Sequence, residues 1–265
     1  MNLRTSFEAV PFTDPTLTRL RDAYLDSLPH AQELSVELLM PASQHWLIGG
    51  RLGVCGYFSV YEGQSLVEFF LEPSAAAFAD AVMRQVLAHT QVKTARVKSF
   101  DALLLSLCAD LHQEMRTLGV LAREFVPRPL PVMPELRFGS RVATIEDAAR
   151  VLSIPQPVFR DAQRLRGVLA AGWLRLYERD GETLGFGILR PVVAGRPDVE
   201  VGIALHPAYR MRGYAAFILQ DLALSCVAAG QRPVAGCARE NIASRQLGER
   251  VGFVARHRLF EFTLR

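Results

Sequence analysis

The residues of this chain best suited to chemistry lie in one segment, from Val199 to Ala216. Its order predicts a strand, a turn built on Arg210-x-x-Gly213-x-Ala215, and the first turn of a helix. Such a helix start leaves backbone N–H groups without intrahelical acceptors, and the positive end of the helix dipole adds to them. Because a glycine lets a ligand approach the backbone, we predict a pyrophosphate seat here. Its residues are Arg210, Met211, Arg212, Gly213, Tyr214, Ala215 and Ala216.

Two further motifs follow the turn in order. Residues 232–238 predict a strand, and Asn241-x-x-Ser244-x-x-Leu247 begins a helix that ends before Gly252-Phe253. Strand, phosphate turn, helix, strand and this Asn-led helix together resemble the GNAT acetyltransferase superfamily. The resemblance covers roughly the second half of the chain.

The resemblance implies a cofactor and the residues that bind it. Acetyl-CoA, used as a co-substrate without a metal, would place its pyrophosphate on the turn. The backbone of Ile203 and Leu205 would bind the pantetheine arm as a false strand, and Asn241 would anchor the same arm. Arg245, one turn later, would reach a phosphate or else remain a solvated arginine.

The resemblance also implies direct transfer, in which a neutral amine attacks the thioester and a base accepts its proton. Glu200 is our candidate base because it lies on the strand that flanks the thioester. A structural role is the alternative, since strand alternation could turn Glu200 to the wrong face. Glu240 is a weaker candidate, and we interpret His206, before Pro207, as structural.

Gly248 departs from the pattern that the resemblance implies. Many GNAT enzymes have a tyrosine immediately after the leucine matched by Leu247, and its hydroxyl protonates the leaving thiolate. Here the position is glycine. Either the thiolate leaves unassisted, or Tyr209, Tyr214 or a water replaces the missing hydroxyl.

Composition excludes several classes of protein. The four cysteines form no C-x-x-C pair, which argues against a zinc site or a disulfide framework. The first residues contain no apolar run typical of a signal peptide, and no segment has the length of a membrane span. A net charge of +3 is too small to indicate nucleic-acid binding. We therefore expect a cytoplasmic protein with neither a nucleic-acid nor a membrane partner.

Charge is divided unevenly along the chain. Residues 1–130 contain 11 basic and 14 acidic side chains, whereas residues 131–265 contain 19 and 13. The basic half carries the phosphate turn, as an anionic cofactor favours. We interpret the acidic first half as a wall of the acceptor cleft that favours a cationic acceptor.

A proline-rich segment at residues 126–136 predicts an extended linker between two domains. We place one domain at residues 1–128 and the other at residues 135–265. The second half predicts helices and strands in the following order: strand 136–142, helices 145–152 and 158–171, strands 173–178 and 184–193 around an Asp180-Gly181 turn, strand 198–205, helix 214–229 and a closing strand 258–264.

The first half repeats this order without the phosphate turn. Helix 16–28, a hairpin of 45–49 and 53–61, strand 67–73, helix 78–89, strand 93–99 and a helix after Asp101 match the second half. Pro73 is followed only by Ser-Ala-Ala-Ala before Phe78. The pattern predicts an internal duplication with a degenerate first copy. The fold class is α/β: two GNAT-like domains in tandem, each a central, mostly antiparallel sheet flanked by helices.

The leading functional hypothesis is an acetyl-CoA-dependent N-acetyltransferase that acts on a primary amine of a small molecule or on an exposed α-amine. A non-catalytic acyl-CoA sensor or assembly module is the alternative, and Gly248 favours it. O-acetylation and longer acyl groups share the same cofactor seat. The sequence leaves the oligomeric state open.

Overall fold

The protein folds as two compact units in this computed structural model, which describes residues 5–131, 133, 137–156, 158–159 and 162–265. The first unit comprises Met1–Val120 and His257–Arg265, and the second comprises Leu121–Arg256. Within the described residues, no helix is both long enough and apolar enough to cross a membrane.

The first unit is built on a mixed sheet with helices on both faces. Its elements are β1 (Ser6–Val10), α1 (Pro15–Ser27), α2 (Leu34–Glu37), β2 (Ser43–Gly50), β3 (Gly53–Tyr61), β4 (Ser65–Leu71), α3 (Ala79–Thr90), β5 (Thr94–Lys98), α4 (Ala102–Leu111), most of β6 (His112–Ala122) and β14 (His257–Leu264).

The strands of the first unit follow the order β1-β2-β3-β4-β5-β14. Neighbours are antiparallel except β4 and β5, which are parallel. All seven residues of β4 are buried. Three side chains of β4, those of Leu66, Phe69 and Leu71, belong to the main core of this unit. The helices α3 and α4 contribute Val82, Val86, Leu104 and Leu107 to the same core.

The second unit repeats this plan. Its elements are β7 (Glu124–Phe125), β8 (Gly139–Val142), α5 (Ala148–Ser153), α6 (Ala162–Ala170), β9 (Leu174–Arg179), β10 (Glu182–Pro191), β11 (Asp198–Leu205), α7 (Tyr214–Ala228), β12 (Arg232–Ala238), α8 (Ile242–Val251) and β13 (Phe253–Val254). The order β12-β11-β10-β9-β8 is antiparallel except for the parallel pair of β11 and β12.

Each face of the second sheet has its own core. On one face, Phe186 and Ala204 pack with side chains of α5 and α6, among them Val151 and Leu165. On the other face, Val199 and Val201 pack against α7 and α8. Because side chains alternate along a strand, the even-numbered residues of β11 face α5 and α6, and the odd-numbered residues face α7 and α8.

Most predicted elements are confirmed. β3 and β11 have the predicted bounds, and the predicted Asp-Gly hairpin is present, with φ of 51° at Asp180 and 83° at Gly181. The strand predicted for 136–142 is observed as β8, and Leu136 lies outside the described residues. The helix predicted for 158–171 is observed as α6, Ala162–Ala170, and the predicted positions 160 and 161 lie outside the described residues.

The predicted closing strand of the second domain is corrected. The strand itself is present as β14, but it belongs to the first unit, where it pairs antiparallel with β5 from Leu259↔Lys98 to Thr263↔Thr94. The apolar side chains of Phe262 and Leu264 enter the core of that unit. A strand's pairing partner is a long-range choice that its own sequence does not specify.

The first residues of the predicted linker at 126–136 are hydrogen-bonded within the second unit. Val126 N donates to Gly252 O (2.9 Å), and Arg128 N donates to Val251 O (3.2 Å). Gln220 of α7 donates to Arg128 O at 2.6 Å. The two compact units of the structure divide after Val120, and the domain boundaries at 128 and 135 stay a prediction. Residues 132 and 134–136 lie outside the described residues.

Candidate functional site

The strands β11 and β12 part in the middle of the second sheet. Their register runs from Asp198↔Arg232 to Glu200↔Val234, whereas β11 continues to Leu205 and β12 to Ala238. On its other side β11 stays paired with β10 along its full length, up to Gly185↔Leu205. The end of β11 therefore presents one edge of its backbone to the opening.

Ile203 and Leu205 present that open edge. His206 N donates to Leu184 O at 2.9 Å, so the backbone groups of residue 206 point toward the β10 side. Because successive residues of a strand direct their N–H and C=O groups to alternate edges, those of Ile203 and Leu205 point away from β10. This is the orientation that the predicted false strand requires.

The predicted phosphate turn lies directly after β11. Pro207–Tyr209 form one 3-10 turn, and Gly213, with φ of 91°, is the residue before α7. Met211 has φ of 59° and is fully exposed. The N–H groups of Arg210 and Ala216 are bonded within the turn, to Pro207 O and Gly213 O. Among the described residues, no backbone hydrogen bond is found for the N–H groups of residues 211–215, which stay the predicted pyrophosphate donors.

The two arginine side chains of the turn are held by neighbours. Arg210 donates from Nε to Leu205 O (3.1 Å) and from Nη2 to Pro155 O (3.0 Å), which ties the turn to β11 and to the segment after α5. The guanidinium of Arg212 lies 5.9 Å from the centroid of the Tyr209 ring. Arg210 thereby shapes the turn with its side chain.

The two candidate tyrosines point toward the β9–β10 hairpin. Tyr214 is buried among Tyr177, Ile218 and other apolar side chains, and its hydroxyl accepts from Arg179 Nη1 at 2.5 Å. The hydroxyl of Tyr209 donates to Glu182, and this bond raises the pKa of Tyr209. Both hydroxyls are therefore held by residues that flank the Asp180-Gly181 turn of this hairpin.

The α8 residues begin where β12 ends. The side chain of Asn241 caps α8 by accepting from Ser244 N at 3.1 Å, and α8 packs on α7 and β12. Arg245 is half-exposed and pairs with Glu249 at 3.0 Å. Gly248 lies on the same helix, where an added Cβ would meet the Cβ of Phe253 at 3.6 Å, an ordinary contact.

Glu240 is exposed. His206 Nδ1 accepts from Ala208 N, in keeping with its structural interpretation.

Glu200 lies on the face of β11 that α5 and α6 cover, with its side chain 15 % exposed. Arg123, which the sequence analysis missed, pairs with it: Nη1 lies 3.7 Å from Oε2 of Glu200 and donates to Ala235 O at 3.3 Å. The side chain of Arg123 is completely buried. A lone arginine directly after the apolar run Val120-Leu121-Ala122 is the only sequence signal for it.

Gly202 is a second residue of this face that the sequence did not indicate. It shares the face of Glu200 and Ala204, and an added Cβ there would meet no atom of the described residues within 4 Å. By contrast, an added Cβ at Gly187 of β10 would lie 2.4 Å from Leu222 of α7. Among the described residues, space is therefore open above Gly202 on the α5–α6 face, on the same side of β11 as Glu200.

In the first unit, β4 and β5 part in the same way. They pair at Ser65↔Thr94 and Leu66↔Ala95, and then β4 continues to Leu71 and β5 to Lys98. After β4, a 3-10 turn of Ala76–Phe78 leads straight into α3.

A buried polar cluster lies where these two strands part. Gln32 donates to Glu68 Oε1 (2.7 Å) and accepts from Lys98 Nζ (2.9 Å), so it bridges β4 and β5. Glu68 and Lys98 are fully buried, and Glu68 also accepts from Arg21 and Tyr57. Each charge is thus paired and hydrogen-bonded, as burial demands.

Comparison with known protein families agrees with this geometry. Two family models, each of the acetyltransferase (GNAT) domain, match residues 14–125 and 119–254. The chain belongs to the GNAT acetyltransferase family. The prediction of two GNAT domains in tandem is confirmed, and the family identifies the protein as an acyltransferase.

Solved structures share the GNAT fold over the whole chain. A GNAT-family acetyltransferase from Colwellia psychrerythraea superposes with a TM-score of 0.83 at 17 % identity, covering 98 % of this chain and 100 % of that one. A GCN5-related N-acetyltransferase from Sphaerobacter thermophilus superposes with a TM-score of 0.62 at 16 % identity, covering 98 % of this chain and 96 % of that one. A tandem GNAT protein from the clavulanic acid biosynthesis pathway superposes with a TM-score of 0.59 at 16 % identity, covering 98 % of each chain. At these identities the likeness shows the fold alone. No curated protein sequence matches the chain.

Proposed function

We propose that the second unit transfers the acetyl group of acetyl-CoA to a primary amine of a small molecule or to an exposed α-amine. One observation carries the proposal: β11 and β12 part after Glu200↔Val234, and the exposed edge of β11 leads directly into the turn before α7. An edge of unpaired backbone followed by a helix N-terminus suits a pantetheine arm joined to a pyrophosphate.

The proposed cofactor seat uses mainly backbone. The N–H and C=O groups of Ile203 and the N–H of Leu205 would bind the pantetheine arm, while Arg210 already occupies the carbonyl of Leu205. The N–H groups of residues 211–215 would bind the pyrophosphate. Asn241, whose Oδ1 caps α8, would anchor the arm through its amide nitrogen. Arg245, paired with Glu249, would act on a phosphate only from the periphery.

The proposed chemistry needs a positioned carboxylate. The amine nitrogen forms a bond to the thioester carbonyl carbon, the carbon–sulfur bond breaks, and the electron pair leaves with sulfur. Glu200 accepts the ammonium proton, directly or through a water, from the open space beside Gly202. Because Gly248 has no hydroxyl, the CoA thiolate takes its proton from solvent. The ion pair with Arg123 fixes where Glu200 points.

We propose that the first unit binds no acetyl-CoA. Its 3-10 turn of Ala76–Phe78 enters α3 without the extra residues that surround Gly213 in the second unit. The bridge of Glu68, Gln32 and Lys98 already joins the parted strands. This arrangement supports the degenerate first copy and one cofactor site per chain.

A second candidate, a module that binds acyl-CoA without turnover, is favoured by one observation. Gly248 lacks the hydroxyl that the resemblance leads us to expect, and the hydroxyls of Tyr209 and Tyr214 are bonded to Glu182 and Arg179. Steady release of CoA with an amine panel would support the enzyme. Binding without release would support the module.

Calorimetric titration with acetyl-CoA tests the proposal, with desulfo-CoA and ATP as controls. We expect one site per chain, lost in Gly213→Asp because a carboxylate would face the pyrophosphate and an L side chain would be strained at φ 91°. The matched variant Ala76→Asp in the first unit should bind as the wild type does. Two sites would contradict the degenerate first copy, and no binding would contradict the function.

A further inference from the structure

The first unit contains one strand that the chain supplies only after the second unit. β14 lies between β5 and β6 and is hydrogen-bonded to both. These two walls are complete by Ala122, whereas β14 begins at His257, after the whole of the second unit. We call the space between β5 and β6 the strand slot. Without β14, each wall would turn an edge of unbonded backbone N–H and C=O groups toward the strand slot.

Apolar side chains on one face of β14 complete the core of the first unit. Phe262 and Leu264 belong to this core and are 1 % and 7 % exposed, and Phe260 packs against it. Because side chains alternate along a strand, all three point to the same face. The core therefore lacks part of its apolar content until β14 enters.

A charged residue fixes the register of β14. Glu261 points to the face opposite the core, and its side chain is 15 % exposed. Its Oε1 accepts from Arg116 Nε of β6 at 2.7 Å, and its Oε2 lies 3.9 Å from Arg96 Nε of β5. Each wall of the strand slot thus contributes one arginine to the same carboxylate. A slip of one residue would turn Glu261 into the apolar core, so the walls specify a single register.

The order of synthesis leaves the strand slot empty at first. The walls are made long before β14, and contacts between residues that are distant in sequence form late, because closing a long loop costs conformational entropy. During this time two sheet edges and an incomplete core are exposed. Such edges are templates for an extended segment of another chain. Every copy of this chain carries a segment that matches them, residues 257–264.

We propose that the strand slot is a binding site that accepts residues 257–264 from a separate molecule, and that its partner is the β14 segment of a second copy of this chain. Backbone hydrogen bonds supply the affinity, as in other cases of strand addition, while the apolar face and Glu261 supply the selectivity. The inference is independent of the proposed function, because it involves neither acetyl-CoA nor Glu200.

Rescue by a separate peptide tests the binding site. Phe262→Asp in the full chain would put a carboxylate into the core, so we expect β14 to leave the strand slot. The two tryptophans of the chain report on the units separately, because Trp46 packs against the core of the first and Trp173 against a core of the second. With Trp173→Phe added, the native fluorescence of Trp46 should be lost and then recovered with a peptide of residues 257–265. With Trp46→Phe added instead, the signal should change at neither step.

Variants of the peptide test the register. A peptide with Glu261→Lys should bind about tenfold more weakly, because its ammonium group would meet two arginines. Arg116→Glu in the full chain should recover part of that affinity, since the ion pair is restored with its charges exchanged. A peptide with Phe262→Asp is the control and should rescue nothing. Equal rescue by all three peptides would overturn the binding site.

A nicked protein covers the case in which Phe262→Asp prevents the whole chain from folding. A protease site inserted after Arg256 and cleaved in the folded protein leaves β14 in place without its covalent link. After unfolding in urea and refolding with an excess of labelled peptide of residues 257–265, we expect one labelled peptide per chain. Refolding without incorporation of the peptide would overturn the binding site.

Joint refolding of two differently tagged full chains tests the second copy as partner. We expect mixed dimers whose share rises with protein concentration, as exchange of an identical strand requires. An excess of the peptide of residues 257–265 should suppress them, and the peptide with Phe262→Asp should not. Monomers alone at every concentration would overturn the second copy as partner. Dimers that the peptide does not suppress would also overturn it, because they would associate through another surface.

Discussion

The guanidinium of Arg123 and the carboxylate of Glu200 form a buried ion pair, with Nη1 3.7 Å from Oε2. Arg123 enters from the end of β6, and the same Nη1 donates to Ala235 O of β12. The pair therefore links the two strands that part at this level. It also has a consequence for mutagenesis, because removing one charge of a buried pair leaves the other without compensation.

Glu200→Gln should lower kcat by about 10²- to 10⁴-fold, the usual contribution of a general base, and leave the affinity for acetyl-CoA unchanged. Glu240→Gln, a change at an exposed carboxylate, is the matched control and should keep wild-type activity. Steady-state release of CoA and calorimetry measure the two quantities. Similar activity of both variants would contradict a catalytic role for Glu200.

The double variant Arg123→Met, Glu200→Gln separates chemistry from stability. If the single variant loses activity only because Arg123 is left buried and uncompensated, removing both charges should recover activity together with stability. We expect the double variant to recover the melting temperature but not the activity. Recovered turnover in the double variant would assign Glu200 a structural role.

Gly202→Leu should block the acceptor without affecting the cofactor. The leucine side chain would fill the space on the α5–α6 face, whereas the backbone groups of Ile203 and Leu205 face the edge of the strand. We expect turnover to fall by about tenfold or more at unchanged affinity for acetyl-CoA. Gly202→Ala, whose methyl group fits the space, should behave nearly as wild type. Normal KM for the acceptor in the leucine variant would place the acceptor elsewhere.

Gly248→Tyr should raise turnover by supplying the hydroxyl that this chain lacks. The added Cβ makes an ordinary contact with Phe253 at 3.6 Å, so the helix can accept it. If departure of the thiolate limits the rate, we expect kcat to rise by about 10²-fold, within the range of acid catalysis. Gly248→Phe has the ring without the hydroxyl and is the control. Equal kcat in the two variants would show that no acid is needed.

Features set by neighbouring residues could be predicted from the sequence. Gly213 fixes its turn because few other residues adopt φ of 91°, and Asp180-Gly181 fixes its hairpin for the same reason. The bounds of β11 follow from its apolar run, and the order of motifs gave the family. These are local properties of short segments.

Features set by distant pairing could not be predicted. β14 joins β5 because Phe262 and Leu264 complete the core of the first unit, and its own sequence fits either sheet. Arg123, the partner of Glu200, directly follows β6. The first half of this strand is polar and exposed, so its sequence gives no sign that an arginine after it is buried. The face of the sheet on which Glu200 lies could not be predicted either. Alternation shows which residues of β11 share a face, but it does not show which helices cover that face.

The turn before α5 should make the second unit sensitive to acid. Asp147 is buried and accepts from Arg141 Nη1 (2.7 Å) and Nη2 (2.8 Å), and from Thr144 N (2.9 Å). These hydrogen bonds, chiefly those from Arg141, hold the pKa of Asp147 well below its usual range. The carboxylate therefore adds stability above the ordinary pKa of about 4, and this stability is lost as the pH falls below that value.

Asp147→Asn should lower the free energy of unfolding by about 1–2 kcal/mol near neutral pH, because Arg141 loses its charged acceptor, whereas the amide oxygen of asparagine can still accept from Thr144 N. The half-exposed Arg141 limits the effect through solvent screening. Urea unfolding at about pH 7 and about pH 3 measures it, with Glu240→Gln as the control. The difference from wild type should shrink at the lower pH, since the wild-type carboxylate loses its advantage as it approaches protonation. A difference that stays constant between the two pH values would mean that the side chain stabilises this turn by its shape and not by its charge.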